Sequence, residues 1–247
     1  MRWLLVVLVA GSLAVLAPLT ADAQKGKGDK KDEKSADEAR SDIVSDMMTA
    51  YRLVESGRKE KAPEMLITAA GMLRALAKVP LGDITEEVTV ENDKGEKTTG
   101  PAKSDAKAPD LTEEANALFD EAETMGLNLK LQLGGLIKLA KERPVPPRYR
   151  AVDGGPRTIS RKIGRGQTQV FNFHFHCATH CAIGFRSSFP MRIQAVRDDI
   201  GQIWIDALTD GGMHRGVPGG NPGQKCRVTI RIYNGAPTGG QFQLFVS

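Results

Sequence analysis

The chain has 247 residues and a formal net charge of +4, unevenly spread: residues 24–150 carry 22 Lys and Arg against 24 Asp and Glu, and residues 151–247 carry 11 against 5. This length suits about two small domains or one large one. Beyond residue 23 no apolar run approaches the roughly 20 residues that cross a bilayer, which excludes an internal membrane span from the expected architecture.

Residues 1–23 have the three parts of a secretory signal. Arg2 is a minimal positive region, Trp3 to Ala17 is continuously apolar, and Ala21-Asp22-Ala23 is a small-x-small cleavage site. The mature chain is expected to begin at Gln24 and to be exported, periplasmic or extracellular. Residues 24–35, almost all Lys, Asp, Glu and Gly, have nothing to bury and predict a flexible charged tether.

A helical region is expected over residues 36–142. Ser35 and Glu38 have capping-box spacing, and Ile43, Met47, Tyr51 and Val54 recur every three to four residues until Gly57, read as the stop. A second helix starts at Pro63, carries Leu66, Ala69, Ala70, Leu73 and Leu76 on one stripe, and ends before Pro80. Residues 81–109 change character and predict a mobile excursion, with a small hairpin about Asn92 to Gly95. The helical pattern resumes at Asp110, with Glu113 at capping distance, and runs to Gly126; Leu127 to Ala140 is read as further helix because Leu has high helix propensity. Pro144, Pro146 and Pro147 lack backbone donors, so residues 143–156 predict a stiff, extended linker.

From residue 157 onward, short runs alternate with turn residues as in an all-β domain. Expected strands are Thr158–Ile163, Gln169–His176, Ala182–Arg186, Met191–Arg197, Gln202–Leu208, Arg227–Tyr233 and Gln241–Val246, with a long Gly/Pro loop from Thr209 to Gln224. The fold class is therefore α+β in segregated regions: helical hairpins or a small bundle, then a β-sandwich, jelly-roll-like. Asp198, Asp199 and Gly201 form an Asp-rich turn, and Cys226, Val228, Ile230, Ile232, Asn234, Gly235, Phe242 and Leu244 form a closing hairpin. On these residues the last eighty or so positions resemble the bacterial pre-peptidase C-terminal type of jelly-roll domain. That resemblance implies an accessory or binding module in secreted proteins and carries no active site over. The chain departs from the family pattern in lacking Pro-x-x-Gly-x-Tyr before the last hairpin and in adding a His/Cys cluster.

That cluster lies in residues 167–186, QTQVFNFHFHCATHCAIGFR. Strand alternation puts Phe171, Phe173 and Phe175 on one face, for the core, and Asn172, His174 and His176 on the other. Histidines two apart on one strand face can converge on one ion, so His174, His176 and His180 form a candidate zinc or copper site, although the spacing is not a standard zinc pattern and alternation points Cys177 to the Phe face. An exported chain meets oxidising conditions, so Cys177, Cys181 and Cys226 are disulfide candidates. Cys177 with Cys181 would staple the turn between them, but a bridge from either of these to Cys226 is favoured because it closes a longer loop. Arg227, Thr229 and Arg231 share a strand face, with Arg192 on a neighbouring strand, and this face could hold an anionic glycan or cell-surface polymer. Nucleic acid is not an expected partner of an exported chain. Trp204 is expected to pack, with stacking on a sugar ring as the alternative. No catalytic motif is recognisable, so the expected function is a non-enzymatic binding or structural module, with metal binding as the alternative.

Overall fold

A computed structural model describes residues 36–106, 110–150, 155–221 and 223–247. The expected signal, the tether and the Ser35 cap therefore lie outside the described residues. The described helices include none long and apolar enough to cross a membrane.

Helix α1 spans Ala36–Glu60 and α2 spans Pro63–Leu76, an antiparallel pair whose facing stripes bury Ile43, Met47, Tyr51, Leu66 and Leu73. Gly57 does not stop α1. It is buried inside the helix, where a Cβ would come within 2.9 Å of Leu66 Cδ2, so its smallness lets α2 approach; the turn comes at Lys61, which has φ 54°. Helix α3, Leu111–Asn128, starts where expected: the Asp110 carboxylate accepts from the backbone N–H groups of Thr112 and Glu113 at 3.0 and 3.1 Å. The helix expected through Leu127 to Ala140 is interrupted at residues 129–133 and resumes as α4, Gly134–Lys141.

Two expectations for the connecting segments change. Strand β1, Gly82–Asp83, and the hairpin of β2, Glu87–Glu91, and β3, Lys97–Pro101, occupy the stretch read as an excursion. The hairpin turn falls at Asn92 to Gly95 as expected, but β2 is hydrogen-bonded to a strand eighty residues later. The Pro-rich stretch is not extended throughout: Pro147–Arg150 forms a short helix, α5, with Tyr149 buried and its hydroxyl donating to Asp46 on α1. Burying an aromatic body while its hydroxyl finds a carboxylate is enough to override the spacer geometry.

The remaining strands are β4 Arg157–Ile163, β5 Thr168–His176, β6 Cys181–Arg197, β7 Gln202–Gly216, β8 Lys225–Tyr233 and β9 Gly240–Val246. Together with β1–β3 they make one curled mixed sheet in the order β1-β4-β9-β6-β8-β5-β2-β3, with β7 on β6. The curl is produced by β6. Its residues 183–187 pair with β9 and its residues 192–197 with β8, while β7 follows it along both halves. The sequence break at Ser188, Phe189 and Pro190 is thus not a strand end but a register shift that bends one long strand. β7 likewise extends to Gly216, through half of the expected Gly/Pro loop.

The concave side is filled by the sheet's own side chains. Phe171 and Phe173 lie 6.2 Å apart at their ring centroids, Phe242 meets Phe171 edge-on at 6.2 Å, and Phe185, Ile193, Val228, Ile230 and Leu244 complete the core. The convex side is covered on one half only: Ala182 and Phe245 belong to the helical core, and a Cβ on Gly184 would come within 3.0 Å of Val44 and Met48 on α1. The other half, β5, β8 and the end of β6, turns its convex face to solvent, which is why that face carries the polar residues of the site.

The residues quoted for the domain resemblance have structural work in the turns. Buried Asn234 donates through Nδ2 to the carbonyls of Ile163, Gly164 and Thr238 at 3.2, 3.2 and 2.9 Å, and accepts from the Ala236 N–H at 2.9 Å. Asp198 accepts from the Thr229 hydroxyl at 2.7 Å, and Asp199 pairs with the buried Arg197 guanidinium at 2.7 Å. Gly201 takes φ 65°, the left-handed conformation this turn requires.

Candidate functional site

Strand alternation orders the site. With Phe171, Phe173 and Phe175 buried, His174 and His176 are exposed on the convex face of β5. The chain then turns through residues 177–180, where the Thr179 hydroxyl donates to the His176 carbonyl at 3.0 Å and the Cys177 N–H donates to the Gln224 carbonyl at 2.9 Å. Cys177 and Cys226 are joined by a disulfide, Cα to Cα 5.3 Å, which ties this turn to the start of β8. Of the two partners considered for Cys226, it is thus the residue that alternation sends to the core side.

Cys181 is free and buried, and burial pushes its thiol up to about 12. At neutral pH it holds its proton and is no nucleophile. A thiol-specific disulfide reagent at pH 8 is therefore expected to leave the native protein unlabelled and to label one thiol per chain after denaturation; fast labelling of native protein would contradict this placement.

His174, His176 and His180 line one cleft of about 430 Å³, together with Asp37 and Arg40 from α1, Asp83 from β1 and Arg157 from β4. Sequence reasoning missed these four charged residues. They carried no signal, because each sits in an ordinary polar stretch, and only the packing of α1 on the sheet and the sheet's own curl bring them beside β5. Arg40 pairs with Asp37 at 3.1 Å, Arg157 with Glu86, and His180 Nε2 lies 3.9 Å from Glu38. Among the described residues no group of three His, Cys, Asp or Glu side chains is arranged to hold a metal ion. The three candidate ligands share a cleft without converging on one point.

The cross-strand register extends the site onto β8. His176 stands opposite Lys225, His174 opposite Arg227, Asn172 opposite Thr229 and Val170 opposite Arg231, so all of these side chains share the convex face. The three arginines differ in their freedom. Arg192 is held by Asp206 at 3.2 Å; Arg227 is held by Asp198 at 3.1 Å and donates to Asn172 at 3.3 Å. Arg231 is exposed and makes no ion pair among the described residues. Trp204 is half-buried: it stacks on His214 at 4.8 Å between ring centroids and lies 6.1 Å from Phe175. Burial lowers the pKa of His214, so the stack favours the neutral imidazole.

No family model matches the chain, and no curated protein matches it. Among solved structures, it is similar to CapF in a crystal structure with the inhibitor 3-isopropenyl-tropolone. The likeness has 13% identity and a TM-score of 0.20, and covers 61% of this chain and 44% of that one. The chain thus spans less than half the length of that neighbour, and a likeness this low carries no argument about fold or function.

Proposed function

We propose that this is an exported, non-enzymatic binding module that holds anionic polymers on the convex face of β5 and β8, next to the three-histidine cleft. The observation that carries the reading is the pairing of His174 with Arg227 and of His176 with Lys225, in line with the exposed Arg231. It aligns cations along a strand direction, at a rise of roughly 3.3 Å per residue, in the way a linear polyanion presents its charges. Export is supported by the Cys177–Cys226 bridge, which persists only outside a reducing cytosol. The jelly-roll kinship belongs to the same proposal, supported by the curled sheet and its buried aromatic core; β8 and β9, expected as a closing hairpin, do not pair with each other, because each lies on a different half of β6. A zinc or copper site at His174, His176 and His180 is the weaker reading, because a bound ion needs its donors within about 2.0–2.3 Å of one point.

Binding of heparin as the probe polymer tests the proposal. Arg227→Ala with Arg231→Ala is expected to weaken it about tenfold, since exposed charge contacts contribute up to about 1 kcal/mol each, and raising salt is expected to weaken it further. An affinity indifferent to salt and to the paired Arg227 and Arg231 substitutions would sink the proposal.

A further inference from the structure

The strongest unexplained feature lies away from the histidine cleft, where α3 ends and α4 begins. Leu127, Leu129, Leu131, Leu136 and Leu139 are all exposed, from 40% to 71%, within one short stretch of chain. Packing does not require them. The inward positions of this segment are already filled by Leu133 and Ile137, both buried, and by Ala140, which abuts Gly71 of α2 closely enough that a Cβ there would come within 3.3 Å. A short surface helix that met only water would carry polar residues on its outer side, whereas α4 places Leu136 and Leu139 three apart on that side. A cluster of exposed apolar side chains this dense marks an interaction surface.

The charges around the leucines identify the partner. Lys130, Lys138, Lys141 and Arg143 are interleaved with them, against Glu142 alone between residues 127 and 143. This reverses the acidic character of α3, whose exposed Glu123 lies one turn earlier. Exposed leucines beside flexible cations match an anionic bilayer surface, where the apolar side chains enter the headgroup boundary and the ammonium groups remain with the phosphates. We propose that the end of α3 and helix α4 dock this protein on anionic lipid membranes, through Leu127, Leu131, Leu136 and Leu139 with Lys130 and Lys138.

Sedimentation of the exported chain, without residues 1–23, with lipid vesicles tests this. Binding is expected to vesicles of phosphatidylcholine with phosphatidylglycerol and not to phosphatidylcholine alone. Leu136→Ser with Leu139→Ser is expected to lower the vesicle partition coefficient at least tenfold, as is Lys130→Glu with Lys138→Glu, with circular dichroism unchanged because all four side chains are exposed. The Arg227→Ala, Arg231→Ala protein is expected to sediment as the parent does, which separates this surface from the proposed polymer face. Three results would overturn the proposal: no sedimentation with anionic vesicles, equal sedimentation of the leucine variant, or a leucine-dependent dimer without lipid, which would assign the patch to a second copy of the chain.

Discussion

Replacing Cys177 by Ser, or reducing its bond to Cys226, is expected to lower the unfolding free energy by about 4 kcal/mol, the loop-closure value for a sequence separation of 49 residues. The bridge joins β5 to β8 where their ladder ends, and the loop before β8 rests on it: a Cβ on Gly220 would come within 2.9 Å of Cys177 Cβ. The same loop is held from the other side by the buried Arg197 guanidinium, which donates to the Gly219 carbonyl at 3.2 Å and also to that of Pro218. Loss of the bridge is therefore expected to loosen residues 217–224 and the 177–180 turn together, and with them one wall of the histidine cleft. Urea unfolding of oxidised and reduced protein checks the magnitude. A midpoint unmoved by reductant would mean that the thiols are not joined in solution.

Phe173→Ala should be as damaging, at about 3–5 kcal/mol, because the surrounding sheet collapses only partly into the space left. Phe173 is fully buried, its ring lies 6.2 Å from that of Phe171 and 6.1 Å from that of Phe175, and the Arg157 guanidinium sits over it at 5.6 Å from the centroid. Its chain neighbour His174 provides the control. That side chain is exposed, so His174→Ala is expected to change stability by no more than about 0.5 kcal/mol. Thermal denaturation of the two variants reads the alternation directly. Comparable losses would mean that both side chains are buried, and the assignment of inner and outer faces would fail.

The Phe173 and His174 contrast was legible in the sequence because strand alternation is a local rule and β5 obeys it over nine residues. The start of α3 was legible for the same kind of reason, since Asp110 caps groups only two and three residues away. What misled was local character that a distant partner overrode. Gly57 has the look of a helix stop but serves the approach of Leu66, and the polar residues 87–101 read as an excursion until β5 supplies ladder partners for β2. The cleft was half legible: its histidines stand together in sequence, whereas Arg40, Asp83 and Arg157 come from three other elements.

Period, caps, turn residues and the placing of cysteines among apolar neighbours act over a few residues, and these local patterns are enough for the helix pair, most of the strands, and which side of β5 faces the core. The tertiary structure alone decided that β6 runs on through its break and exchanges β9 for β8, that the sheet curls as one surface, and that helices cover only one half of its convex side. Those outcomes depend on contacts between residues far apart in the chain, whose free energies are set by packing and shared hydrogen bonds, and no local pattern encodes them.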